Sequence, residues 1–197
     1  LAWRAHGHTT QNEARAFAAR CLREHGGAVD MQLEANDVRS RLAGMVMAEN
    51  ELAGLLPSDI AAFCPAYASQ GRAGRAEFWR ELLAAVAAPE SGYRTGTAYW
   101  EAGRLNLYSL GLLQLSYDDR TNYGCAFSSE AAVTDPQLNL SCGVRIATRL
   151  VRKADAIGGD SHRPQGGAAA YWSTLRTSSQ ARAGVIAKTS AIAACRL

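Results

Sequence analysis

The chain of 197 residues is long enough for one sizeable domain, and its composition is that of a folded protein. Hydrophobic residues make up 48% of it and charged residues 20%, which excludes wholesale disorder. A formal net charge of +3 is compatible with binding an anionic polymer but selects no partner. No apolar run approaches the roughly 18 residues that a membrane span needs. Alanine, arginine and leucine dominate, which favours helix.

The N-terminal part of the chain has two stretches with helical spacing of apolar residues. The first covers residues 9–23, with Thr9 or Thr10 as the cap, and the second covers residues 30–55. A Leu-Pro-Ser-Asp break at 56–59 follows, and residues 60–68 are predicted to form a short helix interrupted at Cys64 and Pro65. We therefore expect residues 1–58 to form a helical extension packed on a main domain of residues 59–197.

A central helix is predicted to end at a single carboxylate. Apolar side chains recur every three or four positions over residues 75–88, which predicts one wide apolar face. Pro89 should end this helix, because proline lacks a backbone donor and disfavours helical geometry in the preceding residue. Glu90 would then lie at or just past the last turn, where the helix dipole and apolar neighbours disfavour the ionised form. Both effects predict a raised pKa for Glu90, as a general acid near neutral pH requires.

The remaining chain alternates loops with helices. Periodicity disappears over residues 91–107, which indicates a loop or short hairpin lining a cleft. Further polar loops are expected over residues 118–129 and 158–167, and further helices over residues 140–156, 168–176 and 180–195. The predicted fold class is all-α, with a small loop or hairpin lobe after Glu90.

The five cysteines indicate disulfides formed in an envelope compartment, with buried free thiols as the alternative. We expect Cys125 to pair with Cys142 across a short loop, Cys64 to pair with Cys195, and Cys21 to stay free. No cysteine or histidine has a partner at metal-ligand spacing, so neither a metal nor a cofactor is expected.

Four short motifs in a fixed order resemble the lysozyme-like lytic transglycosylases, a group related to the goose-type lysozymes. The sequence Glu90-Ser91-Gly92-Tyr93 matches the family's Glu-Ser-x-aromatic element, and Gly111-Leu112-Leu113-Gln114 matches its Gly-Leu-Met-Gln run with leucine for methionine. Residues 135–144 resemble the Asp-Pro-x-x-Asn-Ile-x-x-Gly element. Ala169-Ala170-Tyr171 resembles the Ala-Tyr-Asn motif, with Trp172 in place of asparagine. The resemblance covers about residues 60–176.

This resemblance implies a lysozyme-like helical domain that cuts peptidoglycan strands at the β-1,4 bond between N-acetylmuramic acid and N-acetylglucosamine. Glu90 would be the catalytic acid and base. Tyr93, Ser109, Gln114 and Tyr171 would contact the substrate, although each could instead be structural. The aromatic residues Tyr99 and Trp100 also follow the acid, in the loop where sugars would stack.

A second carboxylate is less evident, because Ser116 occupies the position where goose-type lysozymes place an aspartate. The candidates are Glu101, Asp118 and Asp119. Its absence from that position favours the lytic transglycosylase route, in which the 6-hydroxyl of the muramic acid attacks and leaves an anhydro product. A hydrolytic muramidase of the same fold is the first alternative.

A catalytically silent protein that binds glycan or a partner is the second alternative, since folds are reused without their chemistry. The expected location is the bacterial periplasm or the envelope of a target cell. A secreted toxin such as a type VI secretion effector, with a dedicated immunity protein filling its cleft, is one setting consistent with the resemblance. We expect no nucleic-acid partner.

Overall fold

The computed structural model describes residues 10–24, 30–102, 105–159 and 163–197. These ranges contain seven α-helices and one antiparallel pair of strands, which confirms the predicted all-α class and the hairpin after Glu90. The elements in chain order are α1 (Gln11–Glu24), α2 (Ala35–Ala48), α3 (Ile60–Phe63), α4 (Arg72–Ser91), β1 (Ala98–Glu101), β2 (Leu107–Leu110), α5 (Asp119–Asn122), α6 (Pro136–Ala154) and α7 (Ala181–Ser190).

The chain contacts divide into two compact units. We call one the hairpin unit; it contains the described residues up to Glu34 together with Glu90–Gly143. The other, the helical unit, contains Ala35–Pro89 and Val144–Leu197. The domain boundary predicted at residue 58 separates two folding domains. The two contact units are a different kind of division, so this boundary stays a prediction.

The helical unit is built around the aromatic residues of α4. Trp79 is fully buried, and its indole N–H donates to the hydroxyl oxygen of Tyr67 over 2.7 Å. Burial raises the pKa of Tyr67 to about 12. On the same helix the buried carboxylate of Glu81 accepts two hydrogen bonds from Arg39, at 2.5 and 2.8 Å. A buried carboxylate needs such a paired cation, so this ion pair holds α2 in register with α4.

The hairpin unit packs one face of its two strands on α1. Side chains alternate between the faces of a strand, so Ala98, Trp100, Tyr108 and Leu110 share the buried face. The hydroxyl of Tyr108 donates to the backbone oxygen of Ala14 over 3.1 Å, and burial raises the pKa of that phenol. The amide of Gln11 bonds to both backbone groups of Trp100.

Both predicted disulfides are present. Cys125 bonds to Cys142 and joins the segment after α5 to α6, and Cys64 bonds to Cys195 near the end of the chain. Cys21 is a buried free thiol, as expected, and its pKa is raised mainly by burial.

The predicted end of the central helix is wrong. Helix α4 begins at Arg72 and continues through Pro89 to Ser91. A proline this close to a helix end removes one backbone hydrogen bond, while the buried face of the preceding turns keeps the helix in place. The chain leaves the helix at Gly92 and Tyr93, whose φ angles are +60° and +63°.

Three further helix predictions were too long. In the last of them, over residues 180–195, α7 ends at Ser190 and a 3₁₀ turn follows at Ala193–Cys195. The second stretch is helical only from Ala35, because residues 31–33 are extended and bond to the chain at 93 and 95. Residues 168–176 form two 3₁₀ turns, Gly167–Ala170 and Ser173–Leu175. Trp172 interrupts them with an extended ψ of 107°, and its side chain is buried. At residues 31–33 and at residues 168–176, tertiary contacts override local helix propensity.

The predicted loop over residues 118–129 also contains a helical turn, α5. The short helix at 60–68 is interrupted as predicted, with α3 ending at Phe63 and a 3₁₀ turn following at Tyr67–Ser69.

Candidate functional site

Glu90 lies in the last turn of α4, in the hairpin unit, and is half-buried. The next residue, Ser91, connects this helix end to the turn at 111–114, because its hydroxyl donates to the backbone oxygen of Leu112 over 2.9 Å. The same hydroxyl accepts from the backbone N–H of Tyr93 over 3.1 Å. The Ser91 backbone oxygen accepts from the Thr97 hydroxyl at 3.2 Å. The residue after Glu90 is therefore hydrogen-bonded to two other segments of the hairpin unit, at Thr97 and at Leu112.

The Gly-Leu-Leu-Gln run forms a tight turn between paired residues. Leu110 and Leu115 exchange both backbone hydrogen bonds, at 2.7 and 2.9 Å, on either side of it. Gly111 and Gln114 both have positive φ, at 76° and 50°. The Gln114 amide nitrogen donates to the backbone oxygens of Thr97 and Gly111. Both of its hydrogens therefore stabilise the turn, and a substrate contact by Gln114 remains a prediction.

The third motif supports this turn from α6. Asp135 caps the helix by accepting from the backbone N–H of Leu138 over 2.9 Å, and Pro136 occupies the first helical position. Asn139 is fully buried and makes three hydrogen bonds of 2.8–3.0 Å. It accepts from the N–H of Leu113 and donates to the backbone oxygens of Leu110 and Val133. Two motifs that are 20 or more residues apart in sequence therefore form a single buried network.

At two glycines of this network an added side chain would force a neighbour to move. A Cβ atom on Gly111 would collide with the Asn139 amide, and one on Gly143 would collide with the side chain of Leu113. The motif glycines therefore allow α6 and the turn to approach closely.

Asn139→Leu is expected to destabilise the protein by about 2 kcal/mol or more, because the Leu113 N–H and the Val133 carbonyl lose their bonds to the buried amide, at about 1–3 kcal/mol each, while the Leu110 carbonyl keeps its bond from Leu115. Urea unfolding measures the loss. Gln137→Leu, at an exposed position of the same helix, is the matched control and should stay within about 0.5 kcal/mol of wild type. A loss below about 1 kcal/mol for Asn139→Leu would contradict this role.

The outer face of the hairpin carries a second carboxylate. Tyr99, Glu101, Leu107 and Ser109 share the strand face opposite the buried one. The hydroxyl of Ser109 donates to Oε1 of Glu101 over 3.0 Å. Tyr99 on this face is 44% exposed, whereas Trp100 on the other face is 6% exposed. Of the two aromatic residues of β1, Tyr99 is the one whose side chain reaches solvent.

The other two candidate carboxylates follow the turn. Asp119 is 2% exposed, and its Oδ2 accepts from the backbone N–H of Ser116 over 2.8 Å, so it stabilises the entry to α5. Asp118 is half-buried and precedes the same helix. Among the three candidates, Glu101 is the one that lies on the outer face of the hairpin, where its carboxylate accepts a hydrogen bond from the Ser109 hydroxyl.

The two candidate tyrosines belong to different units. Tyr93 is half-buried in the hairpin unit, directly after the helix end. Tyr171 is half-buried in the helical unit, where its ring lies 5.0 Å from that of the buried Trp172. Trp172, at the position where the resembled motif has asparagine, is therefore a core residue beside Tyr171. A substrate role for either tyrosine stays a prediction.

Among the described residues, no group of three or more histidine, cysteine, aspartate or glutamate side chains could hold a metal ion. All four histidines (His6, His8, His25 and His162) lie outside the described ranges, as does Thr9. In the part of the chain that the structure describes, no helix is both long and apolar enough to cross a bilayer.

Sequence reasoning missed three features of this site. Thr97 connects the helix end with the Gly111–Gln114 turn through its hydroxyl and its backbone oxygen, and no motif marks it. Asn139 belonged to a motif, but its partners depend on the packing of α6. The bond between Ser109 and Glu101 could have been anticipated only if the strand register had been known.

Comparison with solved structures finds the Bdellovibrio protein DslA. One of its structures, of a variant with a single glutamate replaced by glutamine, matches with a TM-score of 0.75 and 29% sequence identity, over 82% of this chain and 92% of that one. The wild-type protein and a second glutamate-to-glutamine variant match with a TM-score of 0.74, at the same identity and coverage. No protein-family model and no curated protein sequence matches the chain.

Proposed function

We propose that this protein cleaves peptidoglycan strands at the β-1,4 bond between N-acetylmuramic acid and N-acetylglucosamine, with Glu90 as the general acid. The observation that carries the proposal is the hydrogen-bond network that begins at Ser91, directly after Glu90. Its neighbour Ser91 bonds to the turn at 111–114, and Asn139 holds that turn from α6. Hydrogen bonds therefore connect residues of three of the motifs that resemble the lytic transglycosylases, and Glu90 directly precedes the first of these residues, Ser91.

The similarity to DslA supports a pair of glutamates. The two replaced glutamates in the DslA variants are eleven positions apart in that protein's numbering. Glu90 and Glu101 are also eleven positions apart. This equal spacing supports Glu101 as the second carboxylate of the site, and the hairpin places it on the outer face next to Ser109.

A second carboxylate changes the preferred mechanism. The preference for a transglycosylase rested on the absence of such a group at the expected position. With Glu101 available, hydrolysis becomes the favoured reaction: Glu90 protonates the departing oxygen, and Glu101 takes a proton from the water that attacks the anomeric carbon. In the transglycosylase alternative the substrate's own 6-hydroxyl attacks instead, and Glu90 acts alone.

Digestion of purified sacculi followed by mass spectrometry of the fragments tests this proposal. We expect reducing muramic acid ends, because hydrolysis adds one water to each cleaved bond. Anhydro ends, lighter by one water, would establish the transglycosylase instead. Intact sacculi after incubation with folded protein would favour the catalytically silent alternative.

The two disulfides support an oxidising location. We propose the periplasm or the envelope of a target cell as the place of action, where the substrate is found. A dedicated immunity protein that fills the cleft remains the proposed protein partner if the enzyme is a toxin.

A further inference from the structure

The second carboxylate has a polar partner on the neighbouring strand. In the pairing of β1 with β2, Tyr99 lies opposite Ser109 and Glu101 opposite Leu107. Ser109 and Glu101 are thus diagonal neighbours, close enough for a long side chain to cover the distance. The hydroxyl donates to Oε1 of Glu101 over 3.0 Å, and Ser109 itself is only 9% exposed.

We propose that Ser109 is a positioning residue for Glu101 rather than a contact to the sugar, an inference that rests on the proposed function. A glutamate side chain has three rotatable bonds, so without a hydrogen-bonding partner its carboxylate would occupy several orientations. A hydrogen bond from a buried hydroxyl on a paired strand selects one of them. Because Ser109 occupies Oε1, Oε2 is the oxygen left to receive the water's proton.

The resulting step is balanced. The water oxygen bonds to the anomeric carbon while one of its protons passes to Oε2 of Glu101. The bond from the anomeric carbon to the departing oxygen breaks, the electron pair stays with that oxygen, and the proton of Glu90 neutralises it. Ser109 contributes by keeping Glu101 in line for this transfer, since small misplacements of a catalytic group cost about 10²-fold in rate.

This role predicts a loss confined to the chemical step. Ser109→Ala is expected to lower kcat by about 10- to 100-fold, the value of one hydrogen bond to a charged group, with KM unchanged. A direct sugar contact would instead raise KM. Ser141→Ala, at an exposed position of α6, is the matched control and should behave as wild type.

A double-mutant cycle separates positioning from support of the fold. In a Glu101→Gln background, Ser109→Ala should change kcat by less than about 2-fold, because the group it positions is no longer a base. If Ser109→Ala lowers kcat by a similar factor in both backgrounds, or leaves kcat at the wild-type value, Ser109 does not position Glu101. The proposed function would be unaffected by that result. Absence of glycan cleavage by the wild-type protein would overturn this inference and the proposed function together.

Discussion

Replacing Glu90 with glutamine is expected to lower glycan cleavage by about 10²- to 10⁴-fold while leaving the fold intact. The amide is nearly isosteric with the carboxylic acid but cannot deliver a proton to the departing oxygen. Glu90 is half-buried in the last turn of α4, so the substitution removes no core packing. Release of soluble fragments from sacculi measures activity, and thermal unfolding checks the fold.

Glu77→Gln is the matched control for Glu90, because it makes the same change in the second turn of α4, far from the helix end at Ser91. Its nearest described cation is Arg80, at 3.8 Å on the helix surface, and such pairs contribute little to stability. The control should retain wild-type activity. Near wild-type turnover by folded Glu90→Gln would show that another residue is the acid.

The second large effect is expected at Glu101. If the enzyme is a hydrolase, Glu101→Gln should lower cleavage by about 10²- to 10⁴-fold, because no base then activates the water. The glutamine can still accept the Ser109 hydrogen bond through its carbonyl oxygen, so the hairpin should remain folded. The assay is again fragment release, combined with identification of the fragment ends.

Asp118→Asn provides the comparison for Glu101, since Asp118 was a further candidate from sequence. We expect it to retain activity within a few-fold. Asp119→Asn should act on stability instead, because this buried carboxylate accepts from the backbone at Ser116. Full activity of Glu101→Gln with anhydro products from the wild-type protein would restore the transglycosylase mechanism.

Local patterns predicted the elements whose formation depends on nearby residues. The apolar spacing of the central stretch predicted α4, and the loss of that spacing after Ser91 predicted the hairpin. Proline and glycine signals marked the interruption at Cys64 and Pro65. The two disulfides were also predictable, because few cysteines were available and the loop between Cys125 and Cys142 is short.

Tertiary structure decided the features that depend on distant partners. Pro89 stayed inside α4 because burial of the preceding turns outweighs one lost hydrogen bond. Trp172 broke the predicted helix at 168–176 because its indole enters the core.

The residues of the candidate site also divide into those that could be predicted from sequence and those that depend on the tertiary structure. The motif at Glu90 could be read from sequence, since it depends on residues that are consecutive in the chain. The bond from Ser109 to Glu101 required the strand register, because only pairing of β1 with β2 places a serine hydroxyl on that carboxylate. A one-residue slip of that register would move Ser109 to the other face of the sheet, and no local pattern in the sequence specifies which pairing forms.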